Sequence, residues 1–263
     1  IFDVEHGACA SVHTPSGHLI LLDCGHNSTT NWRPSTWLAS QRIRPELLII
    51  SNLDEDHASD LVNIDRLCPP SRFYTNSTIP PDYVVREKNA GGWIIPGIAN
   101  AVAYMRSAVV PAPPIYFGHE LYRFEHTYTL FKDFKKLSVV TFIFYAGHGI
   151  IFPGDIEQRA WRVFLTNAEF RQRLSRVNLF VASHHGRQSG FEPAVFDHCH
   201  PEIVLISDKS VTHGTQLTSG RYGAYSRGVM FDRTRRDVLT TRNDGAISVS
   251  IEHDGRAIIR TAL

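Results

Sequence analysis

Residues 52–57 concentrate much of the chemistry available to this chain. Asn52, Asp54, Glu55, Asp56 and His57 crowd oxygen and nitrogen donors directly behind the apolar run Leu47-Leu48-Ile49-Ile50. Alternate positions of an extended segment share one side, so Asn52, Asp54 and Asp56 face together and His57 follows from the turn. Hard oxygen ligands joined by an imidazole suit Mn²⁺, Mg²⁺ or a mixed-ligand Zn²⁺. The segment also reads as a polar strand-to-helix loop, with Asp56 capping a helix that starts near His57.

The same pattern, an apolar strand ending in an acid or histidine, recurs along the chain. Leu19-Ile20-Leu21-Leu22 ends in Asp23, 149–152 leads to Asp155, and 177–183 ends in His184-His185. In α/β sheets, ligands gather at the carboxyl ends of strands, where side chains leave the core while the strand fixes their positions. Asp54, Asp56, His57, Asp155 and His184 supply enough donors for one or two divalent ions, with Asp155 able to bridge them. Such ions activate a water and neutralise charge building on a phosphoryl or acyl oxygen. Taken singly, Asp23 is a turn former, Asp155 a helix cap and His184-His185 a core pair. Four such strand tips in one chain favour a metal site.

The elements that must position these residues alternate. A meander occupies 1–24, a short helix lies within 31–41 with Pro34 in its first turn, and the strand at 47–50 precedes a helix over 58–67. Residues 69–115, with prolines at 69–70, 80–81 and 111–114, read as an irregular insertion holding one helix near 97–109. Strands follow at 115–117 and 121–127, then a hairpin of 138–145 and 149–152 turning at Ala146-Gly147. Helices are expected at 157–165, 168–174, 193–199 and 217–226, strands at 177–183 and 203–206, and a final meander at 238–241, 246–251 and 257–261. Residues 241–245 read as a hairpin turn and 232–236 as a basic loop. This order predicts a single α/β domain over 1–263.

At 263 residues, with 43% hydrophobic and 20% charged residues, the chain has the balance of a globular protein. No run approaches the ~18 apolar residues of a membrane span, so no membrane contact is expected. A net charge of +1 gives no general attraction to nucleic acid, and such a substrate needs a local basic patch. Four separated cysteines without CxxC spacing predict free thiols and a cytoplasmic protein.

Together, Phe2-Asp3-Val4…His6-Gly7, Leu22-Asp23-Cys24-Gly25, Asn52-Leu53-Asp54-Glu55-Asp56-His57, Phe152-Pro153-Gly154-Asp155 and Ser183-His184-His185-Gly186 resemble the metallo-β-lactamase superfamily. Within it they resemble the branch containing the nuclease-like domain of DNA-uptake competence proteins. The resemblance implies an αββα sandwich, mixed sheets with helices on the outer faces and metals at one edge. It implies Asp54 as a ligand of a first ion, Asp56 and His57 as ligands of a second, Asp155 as bridging carboxylate and His184 as the late histidine. Asp23 supports the site from behind, His185 is the proton donor, and Arg187 contacts an anion. Asn52 stands where the family places a histidine ligand, Glu5 and Ala8 depart from its opening motif, and Lys135-Lys136 replace an asparagine. The implied activity is a metal-dependent hydrolase, phosphodiesterase or nuclease-like, using one or two Zn²⁺, Mn²⁺ or Mg²⁺ ions. Asp56, His185 and Asp23 form its catalytic set, and Arg187, Lys136 and His213 its substrate side. The alternatives are a degenerate binding or regulatory module, with a protein partner or fused domain, and a lactone or acyl hydrolase.

Overall fold

A computed structural model describes residues 1–107, 119–210, 214–231 and 233–262. The first half builds a sheet from β1 (Ala10–His13), β2 (Leu19–Leu22), β3 (Leu47–Ile49) and β4 (Arg72–Tyr74), in that order. β1 and β2 are antiparallel, and β2, β3 and β4 run parallel. Parallel neighbours require crossovers, supplied here by α1 (Pro34–Ser40) and by α2 (Glu55–Ala58) with α3 (Leu61–Leu67). α4 (Pro81–Ala90) and α5 (Pro96–Arg106) complete this helical layer.

The second sheet has the order β12-β9-β8-β7-β6-β5. Its members are β5 (Glu120–Phe124), β6 (Val140–Tyr145), β7 (His148–Phe152), β8 (Leu179–Val181), β9 (Ile203–Ile206) and β12 (Val238–Thr240). Outside it lie α6 (Gln158–Phe164), α7 (Ala168–Leu174) and α8 (Ser219–Gly223). Two hairpins are appended, β10 (Val229–Phe231) with β11 (Thr234–Arg236), and β13 (Ile247–Ile251) with β14 (Ala257–Thr261).

Strand alternation explains the layering. Ile20, Leu22, Leu47 and Ile49 pack against Leu121, Val139 and Ile143 between the sheets. Leu19, Leu21 and Leu48 turn the other way to meet Leu38, Leu61, Ile64 and Ile98. Phe142, Ile151, Phe180 and Val204 meet Trp161, Phe170 and Tyr222 on the opposite outer face. Both sheets are thus covered on both sides, in the αββα order that the motifs imply.

Several elements differ from expectation. The helix expected over 58–67 begins only at Leu61, after the separate turn α2 (Glu55–Ala58), and Asp54 rather than Asp56 occupies the cap position of that turn. The break lets buried Asp60 accept bonds from the Ser35 amide (2.9 Å), Arg33 (3.1 Å) and Asn63 (2.8 Å). Of the supposedly irregular 69–115, the part up to 107 holds β4, α4 and α5, both helices having Pro in the first turn; the strand expected at 115–117 lies outside the described residues. Residues 241–245 form not a hairpin turn but a helical turn, α9 (Thr241–Asp244). β12 runs parallel to β9, so the chain must leave the sheet there. In the basic run, Arg235 and Arg236 lie on β11 and pair with Asp237 and Asp244, which leaves no free cationic loop of the two. Among the described residues no helix is long and apolar enough to cross a membrane.

Candidate metal centre

The carboxyl ends of β2, β3, β7 and β8 meet at one edge of the sandwich. Asp23, just past β2, accepts the Ser51 amide (2.7 Å) and the Ser51 hydroxyl (2.6 Å). Its Oδ2 also lies 3.0 Å from His57 Nδ1. That contact orients the imidazole and points its Nε2 at Asp155 Oδ1, 3.1 Å away. Gly25 makes the arrangement feasible, because a Cβ there would lie 2.3 Å from the Asp56 carbonyl oxygen.

From the other sheet come Asp155, after β7, and His185, after β8. His185 Nε2 lies 3.3 Å from Asp56 Oδ2 and 3.4 Å from Asp155 Oδ1, buried and without a hydrogen bond. His184, His185 and Gly186 adopt φ values of 51°, 52° and 71° in succession. Left-handed conformations cost non-glycine residues about 1–3 kcal/mol each, so the surroundings must hold this turn. They do so through the His184 amide on the Gly154 carbonyl (3.1 Å), the Thr218 hydroxyl on the Gly186 carbonyl, and Trp161 Nε1 on the Gly190 carbonyl (3.1 Å).

Asp56, His57, Asp155 and His185 each present a donor atom within 4.8 Å of all the others. A cavity of about 50 Å³ borders His57, Asp155 and His185. A cavity of about 680 Å³ opens near the β6–β7 turn, but its Arg176 is already paired with Glu120 at 2.8 Å. The small cavity is the one that borders three of the four clustered donors. Two imidazoles and two carboxylates, with His57 backed by Asp23, are donors of the kinds that can hold a divalent cation. His185 Nε2, facing two carboxylate oxygens without an aligned hydrogen bond to either, is the observation that fits them to a cation.

Without a cation, a proton does part of the same work. Burial alone would depress the His57 pKa, but Asp155, Asp23 and Asp56 raise it well above the ordinary histidine value. In the same way, His57 and His185 overcome burial and hold Asp155 well below the usual carboxylate range. The stability contributed by protonated His57 is complete below the unfolded value of ~6.5 and is lost as pH rises through the raised folded value. Metal binding has the opposite sign, since an ion on His57 Nε2 must displace its proton. We expect calorimetry of the metal-free protein in buffers of different ionisation enthalpy to show about one proton released per ion. Affinity should rise about tenfold per pH unit below the raised folded value, where His57 is protonated in the metal-free protein. Proton-independent binding would remove His57 from the ligand set.

The other site residues fall differently. His184, expected as a ligand, stands outside the group of four: its Nε2 is 3.7 Å from Asp155 Oδ2, and its Nδ1 bonds the Ser189 hydroxyl at 2.8 Å. Burial, with Lys135, His185 and Arg187 nearby, lowers its pKa to about 4. His185, expected as proton donor, places its Nε2 among these donor atoms, where the left-handed backbone at both histidines turns its ring. Asp54 has both oxygens held by ammonium groups, Lys88 at 2.6 Å and Lys135 at 3.1 Å. Lys135 also reaches Asp155 Oδ2 at 3.3 Å. A unit charge and a divalent ion ~4 Å apart repel by about 8 kcal/mol at an effective dielectric of 20, so an ion on Asp54 would have to displace one of these ammonium groups. Asn52 makes only a 3.5 Å contact to Asp54, and its Oδ1 is unpartnered.

Lys136, expected on the substrate side, is paired with Asp133 (2.5 Å) and Glu157 (3.1 Å). Arg187 has a buried Nε without a partner. His213 lies outside the described residues. Residues absent from the sequence reading include Ser51, whose hydroxyl directly before the donor cluster was a usable signal, and Lys88. Lys88 arrives from α4, 34 positions beyond Asp54, where no local pattern marks it.

Comparison with protein-family models finds no match, and neither does comparison with curated proteins. Among solved structures, the chain is similar to Igni18, a metallo hydrolase from Ignicoccus hospitalis KIN4/I, at 13% identity and a TM-score of 0.47 over 97% of this chain and 95% of that one. It is also similar to the metallo-beta-lactamase fold protein YhfI from Bacillus subtilis, at 9% identity and 0.48 over 96% and 91%. A third similar structure is a diphosphatase of the PhnP family, at 9% identity and 0.40 over 92% and 80%.

Proposed function

We propose that this chain is a divalent-metal-dependent hydrolase acting on phosphodiesters. The carrying observation is the convergence of Asp56, His57, Asp155 and His185 within 4.8 Å, drawn from both sheets and including a buried nitrogen with no hydrogen bond. These four residues would hold one ion, Zn²⁺ or Mn²⁺ by the chemistry of the donors. When bound, that ion supplies Lewis acidity and lowers the pKa of a water.

The chain's own groups do the rest. Asp23 holds the tautomer and orientation of His57. The Lys135 ammonium, about a third exposed, and Arg187 place positive charge beside the centre, which favours an anionic ester over a neutral lactone. His6, whose ring centroid lies 6.1 Å from that of His185, has a pKa lowered to about 4 by burial, with His185, Arg187 and Lys209 adding to the effect. Its Nε2 lies 3.0 Å from the Gln216 side-chain amide nitrogen, so at pH 7 it stands beside the centre as a neutral ring. We read residues 1–263 as one catalytic domain whose partner is the substrate itself.

The test is metal analysis of protein purified without chelator, followed by assays with Mn²⁺ or Zn²⁺ on bis(p-nitrophenyl) phosphate, DNA and a lactone panel. Phosphodiester cleavage that chelator removes and metal restores is the expected result. Metal binding without cleavage of any ester would favour a binding module, a reading supported by the two lysines on Asp54.

A further inference from the structure

We infer that the Lys135 ammonium permanently fills the position of a second cation, making this centre mononuclear by construction. The inference rests on the metal-centre reading above and adds to it the number of ions and the residue that sets it.

The two oxygens of Asp155 divide the edge of the sandwich. Oδ1 faces His57 at 3.1 Å and His185 at 3.4 Å, on the side where Asp56 also lies. Oδ2 faces Lys135 at 3.3 Å and His184 at 3.7 Å. A carboxylate with donors on both sides can bridge two cations, and on the second side a cation is already present.

Lys135 Nζ also contacts Asp54 Oδ2 at 3.1 Å. It therefore lies between two carboxylates, as a bridged ion would. Its ammonium is held by one carboxylate oxygen from each sheet, Asp54 Oδ2 and Asp155 Oδ2. Lys88 occupies the remaining Asp54 oxygen at 2.6 Å. Asn52, the neighbouring position that could have offered an imidazole, offers a neutral amide. Covalent attachment distinguishes this cation from a dissociable one: chelation cannot remove it, and its position is set by the 3-10 turn Lys135–Leu137 leading into β6.

The experiment titrates metal-free protein with Mn²⁺, reading stoichiometry by calorimetry and native mass spectrometry and spin coupling by electron paramagnetic resonance. The wild-type chain and Lys135→Arg should each take one equivalent and give an uncoupled signal. Lys135→Met combined with Asn52→His removes the ammonium, supplies an imidazole and should take two equivalents with a coupled signal. Two equivalents in the wild-type chain, or a folded double variant that still takes one, would overturn the inference and leave the metal centre standing. Should the double variant not fold, the wild-type stoichiometry and signal decide alone. No binding by the wild-type chain would instead defeat the metal-centre reading, and this inference with it.

Discussion

Replacing Asp155 with asparagine is expected to weaken divalent-metal binding more than 100-fold and to remove metal-dependent hydrolysis. Loss of a residue that merely supports a ligand costs about 10–100-fold in affinity or activity, and Asp23→Asn should fall in that range. Asp155 is more central. Its carboxylate is almost wholly buried and faces His57, His185, Lys135 and His184. The amide keeps the shape but loses the charge that balances these groups, and a neutral oxygen is a poor ligand for a transition metal. Calorimetry with Mn²⁺ and Zn²⁺ provides the measurement. Binding by Asp155→Asn within threefold of wild type would show that Asp155 does not hold the ion.

Trp161→Ala is expected to destabilise the protein by about 3–5 kcal/mol, the usual cost of truncating a buried tryptophan. At ~2–4 °C per kcal/mol for a chain of this size, the melting temperature should fall by roughly 6–20 °C. Trp161 is 0% exposed and packs against Phe170 and Phe180. Its indole donates to the Gly190 carbonyl, anchoring the segment that begins with His184-His185. The effect should therefore reach the centre. Trp161→Phe keeps most of the volume and should recover much of the stability, while lacking the anchor that holds the loop. Thermal denaturation paired with metal calorimetry separates the two contributions. A drop below 3 °C for the alanine variant would mean that the helix–sheet layer repacks around the cavity.

The strand tips were legible because burial and chemistry alternate sharply there. Ile203–Ile206 and Ala168–Leu174 have the bounds that the apolar pattern implies, and the layering follows from alternate residues of β2 and β3 facing different cores. The His184–His185 assignment could not be read in the same way. Neighbouring histidines are equivalent by spacing, and only the left-handed backbone at both positions decides which ring turns inward. The position of Lys135 was equally hidden. The sequence flags a cation where an uncharged ligand was expected, but its contact with Asp54 spans 81 positions. The break before α3 depends on Asp60 reaching Ser35 and Arg33, a tertiary bond that local helix propensity does not encode.

Asp23, Asp56 and His57 follow strands of one sheet, while Asp155 and His185 follow strands of the other. An ion held among them would fasten the two halves at a shared seam. Ligand occupancy at 100 times the dissociation constant adds about 2.7 kcal/mol to folding, and here the gain should be felt on both sides of that seam. Amide hydrogen exchange should slow together at the ends of β3 and β8 on loading, although no backbone bond joins those strands.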